Sequence, residues 1–252
     1  MSIKEAVNYE SAIPVLSLFL LIFSLALLSP EQFSWEVHGA TIDDSVACAN
    51  GTRFGIARNF PLGNEPEDVL TGDFNGDGFL DLAVSNAGAG YSGGVISIYG
   101  NNGRGEFANV VSIRLTNRAS RLVAGDFNND GKLDLAATVP FEGGGVVVAL
   151  GKGDWSFSTT IIPINLVRYR AGIVVANFNS DGKADIALIG EDKLIVLNGD
   201  GTGGFVRSDS YSAGAMPGTL AAADFSGDGK PDVIVFGQDF DQKPTLFLND
   251  GT

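Results

Sequence analysis

Beyond residue 60 the chain alternates short apolar runs with breaks rich in Gly, Asn and Asp. Runs at 68–72, 82–85, 95–99 and 107–115 have strand length and are bounded by turn residues. The same order returns at 121–125, 135–138, 146–150 and 155–164, and again at 173–176, 186–189, 194–197 and 205–211. A fourth round, 220–223, 233–236 and 245–248, has three runs. Each round reads as a four-stranded antiparallel meander of roughly fifty residues, a repeat period typical of stacked architectures. The first run of each round is apolar and small, most clearly Leu220-Ala-Ala-Ala223. Such a strand should be buried on both faces, as at the hub of a propeller. The pattern predicts an all-β fold, a β-propeller of about four such blades. A further run at 54–62 reads as an outer strand with no first strand before it.

Between the first and second runs lies a nine-residue break that recurs in one phase, at 73–81, 126–134, 177–185 and 224–232. Position 1 is Asp73, Asp126, Asn177 or Asp224, and position 3 is Asn75, Asn128, Asn179 or Ser226. Position 5 is Asp77, Asp130, Asp181 or Asp228, and position 9 is Asp81, Asp134, Asp185 or Asp232. Gly78, Gly131, Gly182 and Gly229 hold position 6. Hard oxygens on alternate residues of a tight turn suit Ca²⁺, which takes 6–8 oxygen ligands. The glycine permits the turn that would aim the position 7 carbonyl of Phe79, Lys132, Lys183 or Lys230 inward. An EF-hand is excluded, because position 12 is Val84, Ala137, Leu188 or Val235 where that loop needs a bidentate Glu. Phe74, Phe127, Phe178 and Phe225 at position 2 read as packing between neighbouring blades.

These loops, with the Asn-Gly-x-Gly-type turns and Phe that follow, resemble FG-GAP/VCBS repeats, the blades of integrin α-subunit-like β-propellers. The resemblance covers about residues 45–252 and implies a propeller with Ca²⁺ in its loops. Asn177 and Ser226 depart from the pattern, and integrin-type propellers have more blades than this chain supplies.

The net charge of −14 argues against nucleic-acid binding, which needs a basic face. Much of the acidity is local, since the loops hold eleven of the 30 acidic residues. Residues 12–28 are apolar apart from Ser17 and Ser24. This N-terminal hydrophobic helix reads as a signal peptide within 1–40, with cleavage after Gly39 or Ala40; an uncleaved signal anchor is the alternative. Either places 41–252 outside the cytoplasm, secreted or on the cell surface. Cys48 is the sole cysteine, so no disulfide forms within the chain, and Asn50-Gly-Thr52 is a glycosylation sequon.

The one histidine, His38, falls beside the expected cleavage site, which removes His-based triads. The expectation is a non-catalytic extracellular calcium-binding module for adhesion, with a protein or glycan ligand and no nucleic acid. Loops at 87–91, 141–145 and 238–241 are candidates for recognition. The alternatives are a structural repeat from a larger surface protein and, third, an accessory module of a carbohydrate-active enzyme. Pairing of 54–62 with the fourth round would close a small four-bladed ring; otherwise an open arc would self-associate through its exposed edges.

Overall fold

A computed structural model describes residues 57, 59–88, 93–115, 117–140, 144–166, 171–190, 192–214, 216–237 and 243–251. The segment expected to form the N-terminal helix lies outside them, as do Cys48 and the sequon. Among the described residues no helix is long and apolar enough to cross a membrane.

Among the described residues, fifteen strands lie in one compact unit, Arg58–Thr252. Blade 1 is β1 (Pro66–Gly72), β2 (Asp81–Asn86), β3 (Val95–Asn101) and β4 (Phe107–Arg114). Blade 2 is β5 (Leu122–Gly125), β6 (Asp134–Val139), β7 (Gly145–Gly151) and β8 (Phe157–Pro163). Blade 3 is β9 (Ile173–Ala176), β10 (Asp185–Gly190), β11 (Lys193–Gly199) and β12 (Phe205–Ser212). Blade 4 has β13 (Pro217–Ala223), β14 (Asp232–Gly237) and β15 (Thr245–Phe247). Every sheet is an antiparallel meander in chain order, so the fold is an all-β, four-blade propeller. The strands form where the apolar runs lie, because each run can bury side chains against the adjoining sheet.

The core is divided into three clusters, one at each junction between consecutive blades. Phe74, Ile98 and Ile113 of blade 1 meet Leu122, Leu135 and Ala149 of blade 2. Phe127, Val146 and Ile164 meet Ile173, Ile186 and Leu197. Phe178, Ile189 and Leu194 meet Leu220, Val233 and Val235. The loop phenylalanine also stacks on the first aromatic of the next blade's outer strand, Phe74 on Phe157 and Phe127 on Phe205, both edge-on.

Three expectations need correction. Residues 59–62 form no strand; Phe60 instead packs on Tyr99 and Phe107 of blade 1. Nor do residues 59–62 pair with blade 4, whose sheet has three strands among the described residues. The first strands are not buried on both faces throughout. At β13, Leu220 is covered but Ala221 and Ala223 are exposed.

Candidate metal-binding loops

Each loop joins the inner strand of its blade to the second strand, and its shape comes from two left-handed residues. Position 6 is the glycine already noted; position 4 is Gly76, Asn129, Ser180 or Gly227, with φ of 76°, 56°, 61° and 79°. A Cβ added at Gly131 or Gly182 would meet nothing, so backbone conformation and not space calls for glycine there. The left-handed position 4 was not evident from residue type, because Asn and Ser stand there as well as Gly.

These turns aim successive N–H groups at the loop's own oxygens. Gly76 and Gly78 donate to the two oxygens of Asp73 at 2.7 and 2.8 Å, and Asp77 donates to Oδ1 at 3.1 Å. Asp126 receives the N–H groups of Asp130 and Gly131; Asp224 receives those of Gly227, Asp228 and Gly229. At position 3, Asn75, Asn128 and Asn179 accept from the residue two further on, at 3.0, 3.1 and 3.0 Å. Ser226 is too short to do this, and its hydroxyl donates to Asp224. Position 5 accepts from the N–H of position 7 in all four loops. Positions 1, 3 and 5 are thus brought to one small turn on the surface.

Position 9 is placed differently. Asp81, Asp134, Asp185 and Asp232 are fully buried. One oxygen accepts from the loop phenylalanine N–H, at 3.0, 2.8, 2.8 and 2.9 Å. The other accepts from an N–H near the end of the third strand: Asn101, Gly151, Gly199 or Asn249, at 2.9, 2.7, 2.8 and 2.8 Å. This carboxylate fastens the loop to its own blade, a role the spacing alone did not reveal. Burial pushes the Asp81 and Asp134 carboxyls up, against the pull of those donors. At Asp232 the Asn249 N–H and its companions win, and the carboxyl is held below its ordinary value.

The position 7 side chains lie over their own blade's outer turn, Phe79 at Gly103 and the three lysines at Gly153, Gly201 and Gly251. Lys183 and Lys230 also reach the position 5 carboxylates Asp181 and Asp228, at 3.5 and 3.9 Å. A groove of about 430 Å³ separates the first two loops and is lined by Asp73, Phe74, Asp126 and Lys132. The recognition candidates at 87–91, 141–145 and 238–241 fall largely outside the described residues.

Does this donor set suit a hard cation? Among the described residues no three acidic, His or Cys side chains converge as a metal cluster. The oxygens of a single loop are mixed, however: carboxylate, amide or hydroxyl, and carbonyl. A carboxylate has about four acceptor sites, so Asp73 or Asp126 can hold its N–H donors and a cation together. One oxygen is already without a partner: Oδ1 of Asn177, at position 1 of the third loop, is buried and accepts no hydrogen bond. The surface oxygens of positions 1, 3 and 5 fit the ion; position 9 fits least, its two oxygens being engaged with the backbone.

The model of the FG-GAP-like repeat matches residues 73–137 and 177–235. The chain carries FG-GAP-like repeats. Each matched span opens at position 1 of a loop and runs through the next loop into the strand after it, so the two spans take in all four loops. A lectin of Agrocybe aegerita, solved for its specific recognition of non-reducing terminal N-acetylglucosamine, is similar in structure with a TM-score of 0.48 and 21% identity. The match covers 72% of the FG-GAP-like chain and 48% of the lectin chain, so this protein spans about half the lectin's length. No curated protein matches the sequence.

Proposed function

We propose that this FG-GAP-like propeller is a non-catalytic extracellular binding module whose loops hold Ca²⁺. The orphaned Asn177 Oδ1 carries the calcium reading, since a buried oxygen with no donor needs a partner and an ion supplies one. Asp73, Asn75 and Asp77 would hold the ion in the first loop, with the Phe79 carbonyl, and their counterparts would do so in the other three. Bound calcium would neutralise a turn in which two carboxylates are held close together. Extracellular modules of this kind bind with Kd of roughly 10⁻⁴–10⁻³ M, which fits an extracellular site. The partner class is a protein or a glycan. Catalysis is disfavoured because the loop carboxylates accept backbone N–H groups instead of facing a substrate.

Calorimetric titration with Ca²⁺, followed by protein and glycan arrays probed with the calcium-loaded protein, tests both parts. Heat of binding that shrinks in the Asp73→Ala, Asp126→Ala and Asp224→Ala variant and disappears when Asn177→Ala and Asp181→Ala are added supports the ion, and an unaltered titration refutes it. Binding to no partner would favour a purely structural repeat, a reading supported by the uncovered apolar side chains of blade 4.

A further inference from the structure

Asn is followed by Gly at 50–51, 75–76, 102–103 and 198–199, and one of these pairs lies inside a candidate metal-binding loop. The first pair falls outside the described residues. An Asn-Gly pair can react with itself. The backbone nitrogen of the glycine attacks the side-chain carbon of the asparagine, and no Cβ stands beside that nitrogen to hinder it. Asn75-Gly76 occupies positions 3 and 4 of the first loop. The other loops have Asn128-Asn129, Asn179-Ser180 and Ser226-Gly227 at those positions. Only the first loop therefore joins a position 3 amide to a glycine nitrogen.

Each reacting group of this pair has a partner suited to the reaction. The Gly76 N–H donates to Asp73 Oδ1 at 2.7 Å. Asn75 Oδ1 accepts from the Asp77 N–H at 3.0 Å, and Asn75 Nδ2 donates to Asp77 Oδ2 at 2.7 Å. One carboxylate thus holds the proton that the attacking nitrogen must lose, and a second holds the nitrogen that must leave. The Asp77 N–H holds the oxygen on which negative charge develops. This is the division of roles in general-base catalysis with an oxyanion donor. Gly76 is exposed, and a Cβ there would meet nothing within 4 Å, so the ring has room to form. Asn102-Gly103 differs on two counts. The Gly103 N–H donates to the neutral amide of Asn101, and a Cβ on Gly103 would lie 2.6 Å from the Phe79 ring. Asn198 and Gly199 end β11, paired with Val206 and Phe205, and extended backbone held in a sheet cannot fold into a five-membered ring.

We propose that Asn75 is a site of spontaneous self-modification, promoted by Asp73 and Asp77. The Gly76 nitrogen bonds to Asn75 Cγ, and the Cγ–Nδ2 bond breaks. The proton from Gly76 passes by way of Asp73 and solvent to the departing nitrogen, which leaves as ammonia. The product is a five-membered succinimide. Water then opens it at either carbonyl, giving aspartate or isoaspartate at position 75, and nothing is oxidised or reduced. Aspartate would add a third carboxylate to the surface positions of the first loop. Isoaspartate would insert a methylene into the backbone before Gly76 and shorten the side chain, which breaks the Asx turn closed by the Asp77 N–H. The first loop therefore ages by a route closed to the other three.

Ageing the full chain tests this. The incubation is run at neutral pH in chelator, so that its outcome does not depend on the calcium reading. Peptides are then read by mass spectrometry and by enzymatic methylation of isoaspartate. Conversion at Asn75 should run several-fold faster than at Asn102, with Asn128 and Asn179 unchanged. Asp73→Asn keeps an acceptor for the Gly76 N–H but removes its charge. This variant should slow conversion at Asn75 several-fold, leave the rate at Asn102 as it was and keep the β-sheet spectrum. Conversion no faster at Asn75 than at Asn102 overturns the proposal. So does a rate at Asn75 that Asp73→Asn leaves unchanged or raises, since the loop would then be shielding the amide and not promoting its loss.

Discussion

The junction between blades 2 and 3 and the open face of blade 4 use the same sequence positions with opposite results. Phe127 is 1% exposed and stacks edge-on against Phe205; Phe225, at the same loop position, is 48% exposed. Asp134 and Asp232 make the same pair of backbone contacts, yet burial drives one carboxyl up while N–H donors hold the other down. A repeat motif therefore specifies a blade and its loop, but the stabilisation comes only when a neighbour covers the face. This is the behaviour expected of a quasi-one-dimensional repeat, in which nearest-neighbour interfaces carry much of the stability.

The largest test of that difference is a pair of truncations. Phe127→Ala should cost about 3–5 kcal/mol, the range for emptying an aromatic site in a packed core. Phe225→Ala should cost under about 1 kcal/mol in the monomer, because little buried area is lost. Denaturant melts of the two variants would show it, and equal losses would mean that the blade 4 face is covered in solution.

Next in size is the clamp. Asp134→Ala leaves the N–H groups of Phe127 and Gly151 without acceptors. At roughly 1–3 kcal/mol for each buried orphan, the expected loss is about 2–6 kcal/mol. Asp232→Ala should lose less, since water reaches the surroundings of blade 4. A greater loss at Asp232 would separate the clamp's contribution from burial.

Smaller effects come from the left-handed positions. Gly131→Ala should destabilise by about 1–2 kcal/mol through its φ of 78°, with no steric clash to add. Ser180→Gly should change stability little or raise it by up to about 1 kcal/mol, by relieving a φ of 61°. Opposite signs would show that side-chain bonds at position 4 outweigh backbone strain. Finest of all is a carbon-13 titration in chelator. Asp81 and Asp134 should titrate above the ordinary carboxylate range and Asp232 below it; a common midpoint would dissolve the distinction.

Most of the fold was legible in the sequence. The fifteen strands fall where the apolar runs were, because each loop fixes the phase of the strands beside it. The gathering of positions 1, 3 and 5 on one surface turn was legible for the same reason. The backbone contacts of position 9 were not, since its spacing does not show which N–H groups an Asp accepts until the third strand is placed next to it. Residues 59–62 misled because Phe60 is apolar for its contact with Phe107, not for a place in a sheet. The exposure of Val69 and Phe225 could not be read at all, as it depends on whether another blade is present.

The central claim is that each blade is fastened by its own ion-binding loop, and hydrogen exchange with and without calcium tests it most directly. At a tenfold excess over Kd, one occupied site adds about 1.4 kcal/mol, or about tenfold in protection where that loop must open for exchange. The account predicts such a gain at β2, β6 and β14 on adding Ca²⁺ to chelated protein. It predicts a smaller gain at β10, whose loop has Asn177 in place of Asp. Protection unchanged by calcium in all four blades would contradict it.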